Sequence, residues 1–305
     1  MMEKKSKFGF TLIELLVVIS IIAVLIGVLV PSISKMRIIA KNLQQKAQFR
    51  TISSGLEAFS NENDNIYPSS EDENANGVYG AHKLTAALLG RDLFGYTPDG
   101  NMMPGEYYSN DLNERKEYLD KDKFLMVNPI QIYDNSCNLA GDDSTQNIVD
   151  YYPVISDLFY QKKIAVQKFD FLTRQWQEKF VQTGTPILYF CAYPTEKFVD
   201  NTALIGSAPL PAIDYTDCDR WIYDWHDNEG FFDLATVKTY GLTTEEYHVY
   251  DDFHRGVDVG KAEFYKNIIN YNIPTYLTPM NKNSYILMSA GADGIFGTKD
   301  DVCNF

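Results

Sequence analysis

Hydrophobic and polar positions divide the N-terminal part of the chain into three unlike stretches. Residues 1–9 are polar and basic. Residues 10–30 are an apolar run carrying one charge, Glu14. Residues 31–62 mix the two classes at a helical period. As a helix rising about 1.5 Å per residue, the apolar run spans roughly 31 Å, the thickness of a bilayer's hydrocarbon core. It therefore predicts a transmembrane helix. Lys4, Lys5 and Lys7 precede it and keep the N-terminus cytoplasmic by the positive-inside tendency. Beyond Pro31, apolar Ile33, Ile38, Ile39, Leu43, Ala47, Ile52, Leu56 and Phe59 recur mostly three to five residues apart. Lys35, Arg37, Lys41, Gln44, Gln45, Lys46, Gln48 and Arg50 form the opposite, polar face. One long helix is predicted to about residue 61, bent near Pro31 because proline removes a backbone donor. The string Asn61-Glu62-Asn63-Asp64-Asn65, followed by Pro68, is its stop.

The pattern is weaker downstream. Residues 69–80 read as a loop and 82–93 as a short helix. Residues 94–113 are irregular, and the charged stretch 114–123 reads as helical. Residues 124–133 have strand propensity broken by Pro129, and 164–171 alternate like a strand. The strongest strand is 185–193 (TPILYFCAY), which is β-branched and aromatic, with 284–289 (SYILMS) second. Residues 263–271 fit a helix or a strand. No internal repeat or low-complexity linker is present, so residues 63–305 predict a single globular domain of α+β class.

Charge narrows the function. The 305 residues carry a formal net charge of −14, which argues against nucleic acid and against anionic lipid headgroups as partners. Cys137, Cys191, Cys218 and Cys303 include no C-x-x-C pair. In an exported domain they permit one or two disulfides, with three connectivities if all four pair. His248 and His254, flanked by Asp251 and Asp252, lack a recognised metal-ligand spacing, and with His82 and His226 they read as packing or surface residues. The aromatic cluster Trp221, Tyr223 and Trp225 reads as core. No nucleophile elbow or P-loop occurs, so the chain is not expected to be an enzyme.

Glu14 is the anomaly, because an ionised carboxylate inside lipid is costly unless paired. It belongs to the string Gly9-Phe10-Thr11-Leu12-Ile13-Glu14. This string resembles the processing site of type IV pilins and type II secretion pseudopilins. The resemblance implies cleavage by a prepilin peptidase between Gly9 and Phe10 and N-methylation of Phe10. It also implies that Glu14 pairs with the N-terminal amine of a neighbouring subunit during filament assembly. A pilin-like fold is implied too: a leader at 1–9, a transmembrane segment at 10–30 and the periplasmic half of the helix at 31–62. That long helix would pack on a small antiparallel sheet within 63–305, with a large elaboration over roughly 100–280.

The second motif is residues 289–301, S-A-G-A-D-G-I-F-G-T-K-D-D. Three glycines allow tight turns, and Asp293, Asp300 and Asp301 place three carboxylates within nine residues. Thr298 and nearby carbonyls add neutral oxygens. Such an all-oxygen set suits Ca²⁺, although the spacing is not that of an EF-hand. The stretch resembles the C-terminal calcium loop of type II secretion major pseudopilins, with Ala292 where relatives often have proline. On that match Asp293, Asp300 and Asp301 are carried over as side-chain ligands of a structural calcium ion, with carbonyls around Ile295 and Thr298 as further candidates. The implied protein is a single-pass inner-membrane precursor with its C-terminal domain in the periplasm. Its implied partners are copies of itself, other pseudopilins, the prepilin peptidase and the inner-membrane secretion assembly platform. The alternatives are a type IV pilin for adhesion or motility, and a pilin-anchored enzyme or carbohydrate-binding module. A polar pocket with perturbed carboxylates in the central region would favour the enzyme.

Overall fold

The computed structural model describes residues 12–71, 77–91, 93, 95–96, 115–133, 153–159, 162–170, 175–196, 222–233, 247–256, 259–273 and 278–305. By compactness the chain divides into two units, residues 1–43 and 44–305. All described residues of the first unit are helical and belong to α1 (Leu12–Glu62), which remains helix through Pro31. After it come α2 (Gly80–Leu89), β1 (Met126–Val127), α3 (Pro129–Ile132), β2 (Val154–Ile155), β3 (Lys162–Asp170), β4 (Gln175–Thr183) and β5 (Leu188–Cys191). Then follow α4 (Glu229–Phe232), α5 (Val259–Asn267), β6 (Tyr285–Ser289) and β7 (Val302–Cys303). The result is an α+β protein with a long N-terminal helix and small antiparallel sheets, consistent with a pilin-like fold.

The second unit is built on one antiparallel sheet of order β5-β6-β7, with Leu188 opposite Met288, Cys191 opposite Tyr285, and Met288 opposite Cys303. Side chains alternate across a strand, and here both faces are covered. Ile187, Tyr189, Cys191, Tyr285 and Leu287 join a cluster with Phe49, Ile52, Leu56 and Phe59 of α1 and Leu84 and Leu88 of α2. Leu188, Phe190, Ile286 and Met288 join a second cluster with Tyr223, Trp225, Phe231, Phe232, Tyr250, Phe264 and Phe296. Every residue of β5 and β6 is buried as a result. That is why both strands read as continuous apolar runs rather than as alternating ones. The elaboration, opaque in sequence, supplies the second core.

α1 differs from its sequence reading in which face is inward. Ile33, Ile38, Ile39 and Leu43 are exposed, and the buried stripe is Gln45, Gln48, Phe49, Ile52, Leu56, Phe59 and Ser60. Two glutamines assigned to the polar face are buried, and one atom of each amide is bonded to distant backbone. Leu158 N–H donates to Gln45 Oε1 at 2.9 Å, and Gln48 Nε2 donates to the Ser156 carbonyl at 3.2 Å. The helix stops where predicted. Asp64 and Asn65 take φ of 53° and 60°, and Asn65 N–H returns to the Ser60 carbonyl at 2.8 Å.

The charged stretch 114–123 is not a helix over its described part. Lys116 bridges to Tyr96, and only Lys121–Lys123 makes a 3₁₀ turn. The Asp120 side chain accepts from Asp122 N–H, a local bond that competes with helix propagation. Residues 124–133 divide at Pro129, which opens α3 rather than ending a strand. Residues 263–271 resolve to α5 followed by a turn. The alternating stretch near 164–171 is β3, paired with β4 in a two-stranded ladder.

Candidate functional site

Two regions carry the sequence motifs. In the first, α1 is exposed at every residue from Leu12 to Val30. It contains an 18-residue window of mean hydropathy 3.1, none of it buried. A helix apolar on all sides satisfies every backbone group internally and suits lipid or a bundle of like helices. Ser20 Oγ donates to the Leu16 carbonyl at 2.8 Å, and Ser32 Oγ to the Val28 carbonyl at 2.9 Å, so neither hydroxyl adds an unpaired polar group. Glu14 lies near the start of the described part of α1. Gly9 and Phe10, the junction predicted for cleavage and methylation, lie outside the described residues.

The second region is the C-terminal loop. Gly291 (φ 64°) is required there twice over, since a Cβ would meet the Asp300 carbonyl oxygen at 2.1 Å. The loop is pinned by Phe296, which is fully buried. Its N–H donates to His248 Nδ1 at 3.0 Å, and its carbonyl accepts from Val249 N–H at 2.8 Å. Within the loop Asp293 Oδ1 accepts from Ile295 N–H at 2.8 Å, Asp300 Oδ2 from Asp293 N–H at 2.9 Å, and Asp301 Oδ2 from Gly297 N–H at 2.8 Å. Thr298 Oγ1 lies 2.8 Å from Asp293 Oδ2 and 2.5 Å from Asp300 Oδ1. A hydroxyl has one proton, so it can donate to only one of these carboxylates at a time.

Charge is crowded in this loop. Burial pushes the Asp293 carboxyl up to about 6, with Asp300 beside it adding to the rise. Burial pushes Asp301 up to about 8, and the charges of Asp293 and Asp300 push the same way. Burial also acts on Asp300, but hydrogen bonds from Thr298 and Asp293 outweigh it and hold its pKa down. Asp301 Oδ1 is buried without a hydrogen-bond partner. Among the described residues no three His, Cys, Asp or Glu side chains converge as a finished metal site. The loop thus offers calcium-type donors, namely the carboxylates of Asp293, Asp300 and Asp301 and the oxygens of Thr298 and Ile295. One acceptor is unsatisfied, and two carboxylates share one hydroxyl. The donor chemistry fits a hard cation.

Sequence reasoning missed a third element, Asp157, which is fully buried. Its Oδ1 accepts from Phe159 N–H at 3.1 Å and Thr185 N–H at 3.2 Å. Its Oδ2 accepts from Thr185 Oγ1 at 2.5 Å and Ser289 Oγ at 2.8 Å. Gly184 is the only residue type that fits beside it, because a Cβ there would fall 1.7 Å from Asp157 Oδ1. Asp157 therefore ties the segment docked on Gln45 and Gln48 to Ser289, where the C-terminal loop begins. No local signal marks this aspartate, since all but one of its donors come from distant sequence.

The remaining candidates are structural. His82 and His248 are buried, and burial lowers the His82 pKa to about 3. His226 and His254 pair with Asp224 and Asp251 at 2.7 and 2.8 Å. Tyr223 and Trp225 are core, as expected, while Trp221 lies outside the described residues. Cys191 and Cys303 are free thiols; Cys137 and Cys218 lie outside the described residues. No curated protein and no solved structure matches the chain. Residues 4–30 match the family model described as the prokaryotic N-terminal methylation motif. That match falls on a basic stretch and the apolar run that follows it, and it supports a place for this chain among the type IV pilin-like proteins, pseudopilins included.

Proposed function

We propose that this chain is a structural subunit of a type II secretion pseudopilus. The observation that carries the reading is the methylation motif over residues 4–30, continued by a helix whose apolar half is exposed in the single chain. A lone tether could bury the same length in lipid, but it gains nothing from Glu14. Cleavage between Gly9 and Phe10 creates a positive α-amine, methylated on Phe10. A neighbour's Glu14 neutralises it, and because a misaligned copy would leave a carboxylate unpaired in lipid, the pair selects one register. The role is mechanical, with no chemistry of its own. Before assembly the subunit sits in the inner membrane with residues 31–305 in the periplasm, served by the prepilin peptidase and the assembly platform.

The oxygen-rich C-terminal loop favours the secretion pseudopilin over a type IV pilin for adhesion or motility. In this reading Asp293, Asp300 and Asp301 hold a calcium ion with the carbonyls of Ile295 and Thr298. The ion supplies positive charge to a cluster that otherwise repels itself, and so fixes the loop on the sheet. The test is Glu14→Leu in the full chain, expressed with its peptidase. Membrane insertion and cleavage should persist while filaments fall below detection. Normal filaments from this variant would exclude the pairing, and an N-terminal mass beginning at Met1 would exclude processing.

A further inference from the structure

The feature that neither motif explains is a cleft of about 240 Å³ between α1 and the end of the sheet. Lys46, Phe49, Arg50 and Ser53 line one side, and Cys303 and Phe305 line the other. The helical residues are three and four apart, so they share one face. β7 is the outer strand of its sheet. Small-molecule sites usually run from about 300 Å³ upward, so this cleft has room for a side chain or two rather than for a metabolite.

Its charge is the informative property. Lys46 and Arg50 are exposed and four residues apart on one helix face, a spacing at which like charges repel. Among the described residues neither forms an ion pair. Residues 31–50 hold five bases and no acid, whereas residues 51–305 hold 39 acids and 19 bases. A cationic cleft with an aromatic floor therefore sits on a molecule whose own bulk is strongly anionic. The surface most complementary to it is the acidic domain of another copy.

We propose that this cleft receives a carboxylate-bearing segment of a second copy of the chain and so forms a lateral contact outside the membrane. This rests on the filament reading above and adds to it a contact independent of Glu14. In the assembled protein the acid neutralises Lys46 and Arg50, and its neighbouring side chain covers Phe49 and Phe305. Contacts of this kind weaken with salt, because the Debye length shrinks from about 10 Å at 0.1 M to about 3 Å at 1 M.

The experiment uses the full chain in membranes, with a photo-reactive amino acid replacing Ser53 and, separately, the double variant Lys46→Glu, Arg50→Glu. Both cations are exposed, so the variant should insert, be processed and melt as the wild type does. Filament yield should drop by about ten-fold or more, and the milder Lys46→Gln, Arg50→Gln should fall between. The Ser53 probe should cross-link to an acidic peptide of the same chain, with the yield falling in 1 M salt. Wild-type filament yield from the Glu variant, or a probe that captures lipid or a different polypeptide, would overturn the proposal. Cross-linked pairs of this chain without any filaments would uphold the contact while refuting the filament reading.

Discussion

Asp157 and Asp301 are two poorly solvated carboxylates on either side of β6, and their surroundings differ in donor supply. Asp157 has four donors, two backbone N–H groups and two hydroxyls, distributed over both oxygens. Asp301 has a bond from Gly297 N–H on Oδ2 and none on Oδ1, with Asp293 and Asp300 adding like charge nearby. Both pKa values are raised, in each case chiefly by burial. What separates them is the source of compensation. The protein itself completes the shell of Asp157, which makes it a clasp. The protein leaves Asp301 incomplete, which is the condition a bound cation would relieve. Burial is common to both carboxylates; the donor count is what separates them.

The largest effect should come from Asp157→Ala. It strands four donors in the interior and leaves a void beside Gly184, so it should destabilise the domain by about 3–5 kcal/mol. Thermal or denaturant unfolding of the detergent-solubilised chain should show a lower midpoint with or without calcium. A change under 1 kcal/mol would mean that Asp157 is no clasp.

Calcium should give the next largest effect. At a hundred times its dissociation constant the ion should stabilise the fold by about 2.7 kcal/mol, raising the melting midpoint by several degrees. Asp301→Asn should erase that rise while leaving the calcium-free midpoint equal or higher. If chelation leaves the wild-type curve unmoved, the loop is a plain turn.

The smallest effect sharpens the electrostatics. Without calcium, Asp293 and Asp301 bind protons more tightly folded than unfolded, because their folded pKa values of about 6 and about 8 lie above the ordinary aspartate value of about 3.9. Proton binding then favours the native state, so stability should decline as pH rises from about 4 to about 8 and level off beyond. Asp301→Asn should remove the part of that decline between about pH 6 and 8. Stability curves for the two proteins that stay parallel through this window would contradict the crowding.

Legibility in the sequence followed the range of the interactions. The long helix, its stop at Asp64–Asn65 and the strands β5 and β6 were readable, because apolar length, asparagine turn chemistry and β-branched runs are local properties. The inward face of α1 was misread between residues 33 and 48. Ile33, Ile38, Ile39 and Leu43 are exposed in the single chain, and Gln45 and Gln48 are buried. A glutamine becomes a core residue only when a distant backbone, here residues 156–158, meets its amide. The elaboration was less readable: Trp225 was legible as a core residue, but which face of the sheet it covers with Phe232 and Phe264 was set only by folding.

By itself the sequence determined a basic N-terminal stretch, an apolar helix with one acid and an acidic glycine-rich loop near the other end of the chain. Each is encoded by residues adjacent in the chain. Only the tertiary structure decided that one three-stranded sheet has two cores, that Asp157 joins the helix-docking segment to the C-terminal loop, and that Asp301 Oδ1 lacks a hydrogen-bond partner. The reason is physical: a hydrogen-bond shell is closed or left open by groups that folding brings from more than a hundred residues away, as Ser289 is from Asp157.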